Sequence, residues 1–146
     1  MRLALAGLLV LLPLARAADA NTDVAAEVEK GVQAYNGRDL AYYEAVLAPE
    51  AVYIAEDGAV IAGREKVLAL FKRIFGATPA RQLAVSDVAT GTRGDAAWAR
   101  FKWALTVGAD VRHGVATTLF GRGAGGSLQV LQIQNTPDGH HAGGHD

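Results

Sequence analysis

The chain has 146 residues, 51% of them hydrophobic and 20% charged, with 17 glycines and no cysteine, which fits one globular domain and excludes collagen-like, coiled-coil and disordered classes. A formal charge of −1 leaves no broad basic surface to grip a polyanion, so nucleic acid is not an expected partner. Without cysteine there is no disulfide, thiolate metal site or cysteine nucleophile, whatever the compartment.

Residues 1–17 have the layout of a secretory signal peptide: Met1-Arg2, an apolar run over residues 3–12, Pro13, then Ala15-Arg16-Ala17 as a small-residue cleavage site. The run is too short for a bilayer span, which takes about 20 apolar residues. Cleavage after Ala17 is expected, with Ala20 as the alternative site and an uncleaved anchor as the alternative fate. The mature protein is then periplasmic or secreted, has no further membrane attachment, and is more acidic for the loss of Arg2 and Arg16.

From Thr22 onward Val24, Val28, Val32 and Tyr35 fall on one helical face, and Asn36-Gly37 supplies the stop. Asp39 is placed to cap a short second helix carrying Leu40, Tyr43, Val46 and Leu47, ended by Pro49. A short strand over residues 51–55, the turn Glu56-Asp57-Gly58 and a partner strand over residues 59–61 follow. A third helix buries Val67, Leu70, Phe71, Ile74 and Phe75, with Gly76 past its end.

After Pro79 the period changes to two, predicting strands over residues 81–90, 96–107, 111–120 and 127–135 joined by short antiparallel turns. In the second of them Ala97, Ala99, Phe101, Trp103 and Leu105 share one face, while Trp98, Arg100 and Lys102 share the other. The expected fold is α+β, three N-terminal helices on one face of a curved antiparallel sheet. Residues 137–146, rich in Gly and His, are expected to form a flexible tail.

The order of elements, with the strings Ala34-Tyr35-Asn36-Gly37-Arg38-Asp39-Leu40, Leu47-Ala48-Pro49-Glu50-Ala51-Val52-Tyr53, Ala62-Gly63-Arg64-Glu65 and Gly94-Asp95-Ala96-Ala97-Trp98, resembles the nuclear transport factor 2-like group, which includes ketosteroid isomerase and the SnoaL-like polyketide cyclases. The resemblance spans residues 22–136. It implies a cystatin-like cone with a pocket at its mouth, and a homodimer paired through the outer sheet face, which Trp98, Arg100 and Lys102 would suit. It does not carry the isomerase chemistry over. Gly31 stands where that enzyme has its oxyanion-donating Tyr, Ala55 where it has its basic Asp, and Ala116-Thr117 where it has its protonated Asp.

His113 is the single imidazole inside the predicted domain and is the candidate proton-transfer residue, facing with Val115, Thr117 and Leu119. Tyr35, Tyr53, Asp57, Phe101, Trp103, Gln132 and Gln134 are the candidate pocket residues; Asp57 reads equally as a turn residue and the aromatics equally as core. The expected ligand is a small apolar or amphipathic molecule, bound without a required cofactor. An enzyme built on such a pocket would be an acid/base isomerase, dehydratase or cyclase. Two other functions compete: copper, nickel or zinc capture by His140, His141, His145 and Asp146 of the tail, and a non-catalytic dimerisation module.

Overall fold

The structure is a computed structural model that describes residues 12–139, with side chains from residue 23 onward. Three helices, α1 (Leu12–Gly37), α2 (Leu40–Val46) and α3 (Arg64–Gly76), interleave with six strands, β1 (Leu47–Ile54), β2 (Val60–Ala62), β3 (Arg81–Arg93), β4 (Ala96–Val107), β5 (Asp110–Arg122) and β6 (Leu128–Pro137). The strands form one curved sheet in the order β2-β1-β6-β5-β4-β3, and the helices pack on its concave side.

The sheet is mixed, which corrects the expectation of an antiparallel one. Strands β1 and β6 run parallel, with Tyr53 opposite Ile133, while every other pair is antiparallel. The meander alone accounts for β3 to β6. The β1–β6 pairing joins segments about eighty positions apart, and local periodicity carries no information on such a contact.

Strand ends shift by up to four residues, β6 taking in Pro137 of the expected tail, and two helix boundaries move as well. Helix α1 is already formed at Leu12, the first described residue, upstream of the expected Thr22, because the Ala-rich segment that follows favours helix. The chain turns extended at Leu47, one residue before the expected end of α2, so Leu47 and Ala48, both 1% exposed, open β1 instead. Asp39 caps α2 as its type and position require, with extended backbone and Oδ1 accepting from the Tyr42 N–H at 3.1 Å. Gly63, at φ 98°, makes the sharp entry to α3 that a side chain would strain.

The apolar stripes meet as one core. Val24 and Val28 of α1, Tyr43 and Val46 of α2, Val67 and Phe71 of α3, and Ala97, Ala99, Phe120 and Val130 of the sheet are all buried. Asn36 closes the end of α1 onto the sheet: its Nδ2 donates to the Leu83 carbonyl at 2.9 Å, and its Oδ1 accepts from the Leu83 N–H at 2.7 Å.

Candidate functional site

The helices do not fill the hollow of the sheet. A chamber of about 130 Å³ stays open between them, walled on the helix side by Val28, Val32, Tyr35, Tyr43 and Phe71 and on the sheet side by Phe101, Trp103, Ala116, Thr118 and Ile133. Strand alternation explains the sheet wall. In β4 Ala97, Ala99, Phe101, Trp103 and Leu105 point inward, and their partners on β5, Phe120, Thr118, Ala116, Gly114 and Arg112, must point the same way. Gly114 lies under the indole of Trp103; a Cβ there would sit 2.3 Å from the ring and 2.3 Å from the Thr136 carbonyl.

The wall is aromatic. Tyr43 stacks on Phe71 with centroids 4.1 Å apart, and Tyr35 meets Phe75 edge-on at 5.6 Å. Burial pushes the hydroxyls of Tyr43 and Tyr35 upward in pKa, and that of Tyr53 up to about 12, with Arg81 opposing the shift at Tyr35 and Tyr53. These phenols are neutral near pH 7, so they can donate hydrogen bonds but cannot take up a proton. Tyr43 already donates to the Gly31 carbonyl at 2.9 Å. The indole N–H of Trp103, a residue only 5% exposed, is buried without an acceptor.

Glu56 is the one carboxylate on the chamber wall. Together with Tyr53 it also lines a second, more open and polar hollow of about 460 Å³, which continues past Asp57, Arg73, Arg81 and Arg112 and forms a vestibule. Glu56 Oε2 lies 2.9 Å from Arg112 Nη1, a bond that ties the β1–β2 turn to β5 across the entrance.

Tyr35, Tyr53, Phe101 and Trp103 of the predicted pocket set line the chamber together. Asp57 reaches only the vestibule, where its Oδ1 accepts from the Ala59 N–H at 3.0 Å and holds the turn. Gln132 and Gln134 face away. A β-bulge at Leu131 puts one extra residue into β6 between the Phe120–Val130 and Leu119–Gln132 pairs, so alternation reverses and Ile133 and Asn135 point inward in their place. His113 is exposed on the convex face, because the tight turn at Gly108 pairs it with Ala104 rather than Leu105. It cannot reach a molecule in the chamber; its neighbour Arg112 takes the inward position. Arg81, Glu56 and Thr118 were also missed, although the period-two pattern that placed Trp103 carries Arg81 and Thr118 as well. His140, His141, His145 and Asp146 lie outside the described residues, as do residues 1–11 of the expected signal peptide. Among the described residues no cluster of three or more His, Asp or Glu side chains is placed to hold a metal, and no helix is long and apolar enough to cross a membrane.

Three helices laid in a curved mixed sheet, with an apolar chamber beside a polar vestibule, define a cystatin-like α+β fold. The chain belongs to the SnoaL-like domain family, whose model matches residues 28–134. It is similar to a nuclear transport factor 2-like protein of unknown function from Pseudomonas putida, at 22% identity over 82% of this chain and 87% of that one, with a TM-score of 0.74. A Caulobacter vibrioides protein with a cystatin-like fold is 15% identical over 82% and 90% of the two chains, TM-score 0.71. A Catenulispora acidiphila protein solved in complex with S-DNPA is 18% identical over 83% and 95%, TM-score 0.70. No curated protein matches the chain.

Proposed function

We propose that this protein is an exported carrier or enzyme for a small apolar or amphipathic molecule, which it holds in the chamber between α1, α3 and the concave face of the sheet. The observation that carries this is the chamber itself: an open volume of about 130 Å³ between the helices and the concave face of the sheet, lined almost wholly by apolar and aromatic side chains. Interiors of folded domains rarely leave such a space. The complex of the Catenulispora acidiphila protein with S-DNPA, on the same fold, supports the reading. Export rests on residues 1–17 alone.

Binding is the primary activity in this proposal. Acid/base chemistry on a bound molecule would run through Glu56, the one carboxylate on the wall, with neutral tyrosine hydroxyls steadying developing charge. The test is thermal unfolding with toluene as the probe. The wild type should gain stability with toluene, and Ala116→Phe, which fills the chamber from β5, should not; Val32→Phe fills it from α1 and gives the same measurement should the first variant fold poorly. A wild type indifferent to toluene, or filled variants that respond as it does, would sink the proposal.

We also infer that two copies pair through the convex face, which no helix covers among the described residues and where Trp98, 42% exposed, pairs with Leu119, 38% exposed. Sedimentation of Trp98→Glu should show monomer where the wild type shows dimer; identical profiles would refute the pairing.

A further inference from the structure

Arginines from three elements surround the mouth of the chamber: Arg73 in the last turn of α3, Arg81 at the start of β3 and Arg112 near the start of β5. The register fixes two of them. Arg81 pairs with Val107 and Arg112 with Leu105, residues of β4 that share the concave face with Trp103. Along that face the lining thus changes from small and aromatic side chains to guanidinium groups at the open end.

The nearby carboxylates do not neutralise all three. Glu56 is bonded to Arg112 at 2.9 Å, and Asp57 is held by its own turn. Among the described residues neither Arg73 nor Arg81 has a carboxylate within ion-pair distance. Arg81 is the more telling of the two. Its Nε is buried without a hydrogen-bond partner, and its charge is felt at the hydroxyls of Tyr35 and Tyr53, both of which line the chamber. A partly desolvated cation where the apolar chamber meets the vestibule is unfavourable unless something anionic completes it. Guanidinium is best completed by a planar oxyanion that accepts two parallel hydrogen bonds.

The chamber limits what else the ligand carries. Its 130 Å³ is close to the roughly 150 Å³ of an apolar cavity known to hold benzene, so it suits a body about one ring in size.

We propose that the ligand is a small carboxylic acid bearing a single ring or a comparably branched apolar group, its carboxylate held by Arg81 in the field of Arg73 and its body inserted beneath Trp103 and Phe101. This rests on the chamber being the ligand site. Arg112, bonded to Glu56, shapes the rim rather than binding the head group.

Calorimetric titration of the full chain at low salt with phenylacetate, phenylacetamide, toluene and acetate tests the assignment. Phenylacetate should bind about 10-fold tighter than its uncharged amide, and added salt should erode that preference. Acetate should bind far more weakly than phenylacetate. In Arg81→Gln the preference for the acid should collapse while toluene binding persists; Arg73→Gln, an exposed change on α3 that the fold tolerates, should lower it by a smaller factor. Equal affinity for acid and amide, an undiminished preference in both variants, or acetate binding as tightly as phenylacetate would overturn the carboxylate assignment and leave the chamber as a site for neutral ligands. No binding of any probe to the wild type would overturn the chamber reading and this inference together.

Discussion

Strand β4 carries one tryptophan on each face, and each lies across a glycine of a neighbouring strand. Trp103 covers Gly114 of β5 on the concave side and is 5% exposed; Trp98 covers Gly91 of β3 on the convex side and is 42% exposed. In both pairs a Cβ added to the glycine would fall within 2.5 Å of the indole. The pairing device is the same, an aromatic ring filling the space a missing side chain leaves. Surroundings decide its weight: the inner ring is buried between the sheet and the chamber, with the Thr136 carbonyl also close to Gly114, whereas the outer ring can swing into solvent.

Truncation should separate the two most. Trp103→Ala should cost about 3–5 kcal/mol in urea unfolding, the range for emptying a large core site, whereas Trp98→Ala should cost about 1 kcal/mol, the worth of a cross-strand aromatic contact. Equal losses would break the contrast. Adding a methyl group sharpens it. Gly114→Ala should cost about 2–3 kcal/mol, since the added methyl meets a backbone carbonyl as well as the indole, while Gly91→Ala should cost no more than about 1 kcal/mol as Trp98 moves aside.

A pH titration probes the inner face alone. The Tyr53 hydroxyl is pushed up to about 12 by burial, with the neighbouring Tyr35 and Glu56 adding to the effect, whereas an unfolded tyrosine ionises near pH ~10. Its contribution to stability is therefore intact below about pH 10 and is lost as the pH climbs through the folded value, because the unfolded chain gives up its proton first. Tyrosinate absorbance should rise late in the native protein, and Tyr53→Phe should remove part of the alkaline fall in stability. The smallest effect belongs to the outer face: His113→Ala should change stability by less than about 0.5 kcal/mol and leave binding of any chamber ligand unaltered.

The same two faces show how far the sequence could be followed. Alternation in β4 is unbroken, so Trp103 and Phe101 could be assigned to one side and Trp98 to the other from spacing alone, and the helical stripes through Val28, Tyr35, Val67 and Phe71 were equally legible. Parity failed wherever it depended on a pairing partner. His113 and Arg112 differ by one position, and only the length of the turn at Gly108 decides which of them faces in. Gln132 and Gln134 would face in on an unbroken β6; the bulge at Leu131 reverses them, and Leu131 itself, packed over Gly121, carries no mark that sets it apart from a regular strand residue. Glu56 and Arg81 meet at the entrance because β1 pairs with β6 across most of the chain, a long-range contact to which local pattern is blind.

The bond between Asn36 and Leu83 reaches beyond the site it braces. Strand β3 ends the sheet, and an uncovered border of unpaired amides and carbonyls invites another chain to add itself as the next strand. By occupying both polar groups of Leu83 while α1 lies alongside, a single carboxamide denies that template its register, and the irregularity at Asp87 bends the rest of the border out of line. Resistance to self-assembly into fibrous aggregates is thereby lodged one residue away from Tyr35, so a change that loosened the ligand wall there would also expose the molecule to sticking to its own kind.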